Sequence, residues 1–339
     1  MLENFGKPTF NLRLPPGVKD FLFEEAQERR AVERCLCELL AAKSYREVIT
    51  PTYEYSEVFH QASKTTKDQN GLDEKMYRFF DREGRLLALR VDFTAQIARI
   101  AASRFQNLAT PIRAFYSGKV FRAEPLHAGR SHEKWQVGFE ILGAGELAAD
   151  AEAVFCILEG IAALGLEQAR IAVGHIGYFN GIVAQAGLEG EALHELKYLM
   201  ERKDVTGLKQ TASALSLPEL TQTTLLRLPS LHGGAEILSE ARALAHNDIS
   251  LQAVSQLEAL MTLIQNHPHA QEVFFDLSEV EGMGYYTGIM LRAFVAGVGQ
   301  EIGSGGRYDD LVARFGAHMP SVGFSFDVDL LMRALANRR

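Results

Sequence analysis

"PIRAFYSGKVFRAE" (111–124) and "HEKWQVGFEILG" (132–143) flank the loop "PLHAGRS" (125–131) and read as two long strands with a hairpin-like connection. Runs of strands joined this way, without strict strand-helix alternation, argue against a doubly wound parallel fold and for an antiparallel sheet. The surroundings agree. "REVITP" (46–51) reads as a strand stopped by Pro51, "KMYRFFD" (75–81) and "LLALRVD" (86–92) as a hairpin, and "FTAQIARIAASRF" (93–105) as a helix. Upstream, "PPGVKD" (15–20) is a turn, and residues 23–45 place Val32, Leu36, Leu39 and Leu40 at helical spacing opposite a charged face.

Downstream, a helix over 147–164 leads into the short strand "ARIAVGH" (169–175). From 179 to 266 the pattern is helical throughout, leucine-rich and broken at "SLPEL" and "RLPSLHGG". Strand character returns in "EVFFDLS" (272–278), "GYYTGIMLRAFV" (284–295) and "GQEIGSG" (299–305). "RYDDLVARFG" (307–316) then reads as helical, "PSVGFSF" (320–326) as a strand, and 327–339 as a last helix. The expected fold is α+β: a mainly antiparallel sheet flanked by helices, built from residues 1–178 and 267–339, with a helical insertion at 179–266.

The 339 residues are 47% hydrophobic and 23% charged, with no low-complexity tract, which is the composition of a soluble globular protein. A formal net charge of -8 supplies no overall basic field for nucleic acid. Cys35, Cys37 and Cys156 make a reduced, cytosolic pattern, and no apolar run approaches the roughly 18 residues of a membrane span. Phosphate-binding, nucleophile-elbow and zinc-protease motifs are missing. His267 and His269 in "HPH" lack a nearby cysteine or carboxylate partner, so no metal site is assigned.

Three segments combine charge, glycine and aromatic residues. "LRVDFT" puts Asp92 and Thr94 on one side of a strand; "FRAEPLHAGRSHEKWQVGFE" carries Arg122 and Glu124, then Gln136 and Glu140 flanking a bare floor at Gly138. "EGMGYYTG" and "GSGGRYDD" offer glycines for close backbone approach and Tyr285, Tyr286 and Tyr308 as walls. Taken singly, each of these is more often a solvated strand residue, a sheet aromatic or a bulge. Taken together, they suit a ligand with an ammonium group and a second donor, because buried donors need acceptors and a cation needs a carboxylate.

These segments follow the order of the class II aminoacyl-tRNA synthetase motifs, and the chain resembles histidyl-tRNA synthetase from about residue 12 to 335. "YREVITPTYE" resembles motif 1, the dimer-forming helix and strand. "FRAEPLHAGRSHEKWQVGFEILG" resembles motif 2, "EGMGYYTG" the histidine-specific strand, and "GGRYDDLVARFG...PSVGFSF" the motif 3 region. The resemblance implies that Asp92, Thr94 and Gln136 meet the ammonium of histidine, that Glu140, Tyr286 and Tyr308 lie near its imidazole, and that Tyr285 and Arg122 border the site. Asp92 stands where the synthetase has a longer glutamate.

Other departures touch ATP. Glu281 replaces an arginine that contacts the reacting carboxylate and phosphate, Leu330 replaces the arginine that holds the ATP phosphates, and Pro125, Leu126, His132 and Glu133 alter the motif 2 loop. Losing one partner of a buried charge contact costs ~2 to 5 kcal/mol, so both losses weigh heavily against triphosphate binding. Against that resemblance, the synthetase's C-terminal anticodon-binding domain is expected to be absent. A histidine site kept and an ATP site lost is similar to the ATP phosphoribosyltransferase regulatory subunit family. That resemblance implies a non-catalytic chain without a cofactor and with L-histidine as ligand. It also implies a short-form catalytic subunit as partner in a hetero-octamer, self-association through the motif 1 region, feedback by histidine, and no tRNA. A truncated active histidine-activating enzyme and a tRNA-binding sensor stay open as alternatives, separable by pyrophosphate exchange and by salt-sensitive tRNA binding.

Overall fold

A computed structural model describes residues 14–63, 72–123, 131–280 and 285–338. Glu281, the glycines of "EGMG", Glu124, Pro125 and Leu126 lie outside the described residues.

The strands are β1 (Arg46–Glu47), β2 (Tyr53–Tyr55), β3 (Arg78–Phe80), β4 (Leu86–Leu89), β5 (Ile112–Phe121), β6 (Glu133–Leu142), β7 (Ala169–His175), β8 (His232–Gly233), β9 (Val273–Asp276), β10 (Ile289–Val295), β11 (Glu301–Arg307) and β12 (Ser321–Asp327). Nine form one sheet in the order β1-β5-β6-β12-β11-β10-β7-β9-β8, and β2-β4-β3 form a second. Every pair in the large sheet is antiparallel except β1 with β5 and β7 with β9. The expected α+β architecture is therefore present, with β5 and β6 as its longest hairpin, next to the β1 edge.

Strand alternation divides the interior in two. Val137, Phe139 and Ile141 of β6 and Val322, Phe324 and Phe326 of β12 face one core. Helix Phe23–Ala42 covers it through Val32, Leu36 and Leu40, one stripe at four-residue spacing, beside helices Leu147–Ala163 and Val328–Ala336. The helices between Ile176 and Ile264 contribute to the same core. The opposite face of the sheet carries Tyr116, Tyr285 and Tyr308 and packs on helix Thr94–Arg104 and the small sheet.

Four local expectations need correction. "REVITP" is divided: Arg46 and Glu47 pair with β5, then the chain turns outward at Ile49, 84% exposed, and Tyr53–Tyr55 enter the small sheet. Residues 179–266 are not helical throughout, since Pro229 ends a helical run and His232–Gly233 pair with β9 at the sheet edge. Residues 307–316 hold only a 3-10 turn, Val312–Phe315. Arg307 is still in β11, where Asp150 grips its guanidinium at 2.9 and 2.7 Å, and Tyr308 N donates to Ser321 O. Finally, Asp92 and Thr94 do not alternate along a strand. β4 ends at Leu89, and Asp92 sits just before a helix that begins at Thr94, accepting at 3.0 Å from Ala95 N.

Candidate functional site

On the tyrosine-bearing face of the large sheet, β6, β12, β11 and β10 floor a cavity of about 520 Å³. All eight residues singled out from the sequence line it: Asp92, Thr94, Arg122, Gln136, Glu140, Tyr285, Tyr286 and Tyr308. Their sources differ. Gln136 and Glu140 project from alternate positions of β6, Asp92 and Thr94 come from a helix start, and Tyr308 follows β11.

Glu140 is the centre of the closed end, only 1% exposed. Thr94 Oγ1 donates to its Oε1 at 3.0 Å, and Tyr308 Oη donates to Oε2. Burial pushes its carboxyl up to about 8, opposed by the Tyr308 and Thr94 hydrogen bonds and reinforced by Asp92. Burial also raises Asp92, opposed by the Ala95 N–H and the charge of Arg122. Arg122 is held by a 2.9 Å bond from its Nε to Val91 O. The tyrosines pack edge to face, Tyr285 against Tyr286 at 5.0 Å and against Tyr308 at 5.8 Å between centroids. Burial pushes Tyr285 and Tyr308 well above the usual phenol range, so both remain neutral donors.

The floor at Gly138 is not bare. Tyr116, its partner across β5, lies over it: a β-carbon at 138 would fall 2.4 Å from Tyr116 Cζ. Tyr116 is stacked on Phe93 at 4.2 Å and lines the cavity. Sequence reasoning missed it because a seven-residue loop does not fix which residues of the hairpin face each other. It also missed Gly323, over which the Glu140 side chain lies. A glycine inside "SVGFS" is the signal for such a close approach. Lys75, Glu201, Arg292, Glu301, Ser304 and Ser325 complete the rim.

Beyond the rim lies a second cavity of about 810 Å³. Leu330 lines it, as do Asp327, Asp329, Trp135 and Arg29, whose guanidinium sits 4.1 Å over the Trp135 ring. Burial raises Asp329 to about 6, with the neighbouring charge of Asp327 adding to the shift. Of the altered motif 2 positions, His132 bonds Tyr77 Oη at 2.6 Å and Glu133 pairs with Lys119. His267 and His269 lie elsewhere, His267 stacked on Phe155; contrary to the expectation of no carboxylate nearby, His269 sits 2.9 Å from Glu272 and His267 3.8 Å from Glu159. Among the described residues, no group of three or more His, Cys, Asp or Glu is arranged to hold a metal.

The arrangement offers a buried acceptor for a ring N–H, a second carboxylate for an ammonium, and cations at the rim for an anionic group. Those three demands describe an amino acid with a polar aromatic side chain.

The chain is similar to known proteins over most of its length. A family model described as histidyl-tRNA synthetase matches residues 17–331. An ATP phosphoribosyltransferase regulatory subunit from Geobacter sulfurreducens is 37% identical, the match covering 96% of this chain and 73% of that one. One from Geobacillus thermodenitrificans is 35% identical over 97% and 82%. The crystal structure of an ATP phosphoribosyltransferase regulatory subunit/histidyl-tRNA synthetase from Bacillus halodurans superimposes with a TM-score of 0.87 at 30% identity, covering 97% and 84%. Histidyl-tRNA synthetase from Nostoc shares the fold at a TM-score of 0.80 and 21% identity, covering 97% and 76%.

Proposed function

The chain belongs to the ATP phosphoribosyltransferase regulatory subunits, within the histidyl-tRNA synthetase-like family, and from that membership we propose that it binds free L-histidine in the inner cavity and so mediates feedback on a catalytic partner. Its role is regulatory and not catalytic, in the first step of histidine biosynthesis. The single observation that carries the histidine reading is Glu140, a deeply buried carboxyl fixed by Thr94 and Tyr308 at the closed end of the cavity.

In this reading the imidazole N–H donates to Glu140. Asp92 takes the ammonium with Thr94 and Gln136 beside it, Tyr285 and Tyr286 wall the ring, and Arg122 faces the carboxylate. Histidine then alters the partner's activity only to the extent that it prefers one state of the assembly. The partner is a short-form catalytic subunit, joined in a cytoplasmic hetero-octamer without tRNA. Two regulatory chains associate through the motif 1 region, a role supported by exposed Ile49 and Tyr53 in that segment. The helices between 179 and 266 act as an insertion that lends Glu201 to the cavity rim.

The test is titration calorimetry of the chain with L-histidine, together with inhibition of the assembled phosphoribosyltransferase. Saturable binding that Glu140→Gln weakens at least tenfold, with inhibition lost in parallel, is the expected result. Unchanged binding and inhibition in Glu140→Gln would remove the cavity from the mechanism.

A further inference from the structure

Helix Gly190–Glu201, in the inserted segment, buries Leu196, Leu199 and Met200 against the core and turns the opposite stripe outward. That stripe is Glu191, Glu195, Tyr198 and Glu201, at the spacing that puts all of them on one helix face. Helix Val205–Ala214 packs beside it, and with Leu215 at its end completes an open groove of about 730 Å³. Tyr198 and Leu215, 54% and 37% exposed, both line this groove, so it combines apolar side chains with a wall of acids.

Its charge is one-sided. Among the described residues that line it, Glu191, Glu195 and Glu201 stand against one lysine, Lys197. Glu191 and Glu195 are four residues apart on the helix, where like charges repel, and among the described residues neither forms an ion pair. A cation arriving from outside would relieve that repulsion.

The groove also adjoins the histidine cavity, since Glu201 lines both spaces. Just past it, Lys203 Nζ lies 3.4 Å from Asp276 Oδ2 at the end of β9. Asp276 and Glu279 both close on Gly174 of β7, where a β-carbon would stand 2.7 Å from Asp276 O and 3.0 Å from Glu279 Cβ. Glu279 in turn pairs at 2.9 Å with Arg292, which lines the cavity. A partner seated in the groove therefore touches the helix end that is fastened to the cavity rim. Coupling between a ligand site and a partner requires such a shared element.

We propose that this groove docks the catalytic subunit, through a segment of that subunit presenting lysine or arginine beside an apolar side chain. The proposal rests on the partner reading above and adds the surface. Charge selects this occupant. The acidic wall repels nucleic-acid phosphate, and a second copy of this chain, formally -8, would bring net like charge.

Sedimentation velocity of the chain titrated with the catalytic subunit tests it, with Glu191→Lys/Glu195→Lys and Tyr198→Ala as variants. These side chains are exposed, and unchanged thermal unfolding and histidine affinity verify that each variant is folded. Each variant should weaken association by about tenfold or more, and added salt should weaken the wild-type complex more than the charge-reversed one. Association equal to wild type in either variant would overturn the groove and leave the partner reading intact. Loss of self-association with catalytic-subunit binding unchanged would give the groove to a second copy, and tRNA binding abolished by Tyr198→Ala would give it to nucleic acid; either result overturns the proposal. Failure of the wild-type chain to bind the catalytic subunit would overturn both readings.

Discussion

Glu140 lies flat over Gly323, its partner on the neighbouring strand, so closely that a β-carbon there would stand 1.6 Å from Oε2 and 2.5 Å from Cδ. Thr94 and Tyr308 hold the carboxyl in that position, and only its cavity side is open. Gly323→Ala should therefore push it off Thr94 and Tyr308. Histidine affinity should fall at least tenfold, and overpacking should lower stability by about 1 to 3 kcal/mol. Calorimetry and urea unfolding check the two effects separately.

The raised pKa of Glu140 predicts a proton signature. With the carboxyl at about 8 in the free protein and a free imidazole near 6.5, both partners hold one proton between them at pH 7.5, and forming a carboxylate-imidazolium pair exchanges none with solvent. Below pH 6 both are protonated, so binding releases a proton. Calorimetry in buffers of different ionisation enthalpy should show release at pH 5.5 that fades by pH 7.5, and Glu140→Gln should abolish the trend.

Stability of the unliganded chain should follow the same group. A carboxyl whose folded pKa lies above its unfolded value of 4.5 stabilises fully below 4.5, and that contribution is lost as pH rises through about 8. Glu140→Gln should flatten the decline between pH 5 and 8 in thermal unfolding. A decline of the same slope in the variant would assign it elsewhere.

Arg307 and Asp150 fasten the end of β11 to helix Leu147–Ala163, with both side chains under a tenth exposed. Asp150→Ala leaves a buried guanidinium without its main counter-charge, although Ala144 O and Asp309 still accept from it. The expected loss is about 3 to 5 kcal/mol by chemical denaturation. Since Tyr308 follows Arg307 directly, histidine affinity should drop as well.

Ile49 is 84% exposed at the bend between the two sheets, and Tyr53, 54% exposed, follows it on the β2 edge of the small sheet. Ile49→Glu should raise the dimer dissociation constant at least tenfold in sedimentation velocity without changing histidine affinity.

Much of this was legible in the sequence. The β5–β6 hairpin, the long helices and the identity of eight cavity-lining residues follow from alternation, helical spacing and motif resemblance. What escaped is what depends on partners distant in sequence. Tyr116 belongs to the floor only because register sets it against Gly138. Asp92 and Thr94 share the cavity through a helix start and not through strand alternation. "RYDDLVARFG" has helical composition, yet the ion pair to Asp150 and the bond from Tyr308 N to Ser321 O hold its first residues extended. Tertiary contacts there outweigh local propensity.

The glycine-lined floor also reverses the usual ranking of mutational damage. In a packed core, removing atoms is what harms, since a shortened side chain leaves a void. Here the space over Gly138, Gly323 and Gly306 is taken by Tyr116, Glu140 and Tyr286, side chains that line the cavity, and every substitution at those glycines pushes them toward the ligand. A saturation library scored for histidine binding would thus show a band across β6, β12 and β11 in which even alanine is a loss, beside rim positions that tolerate it.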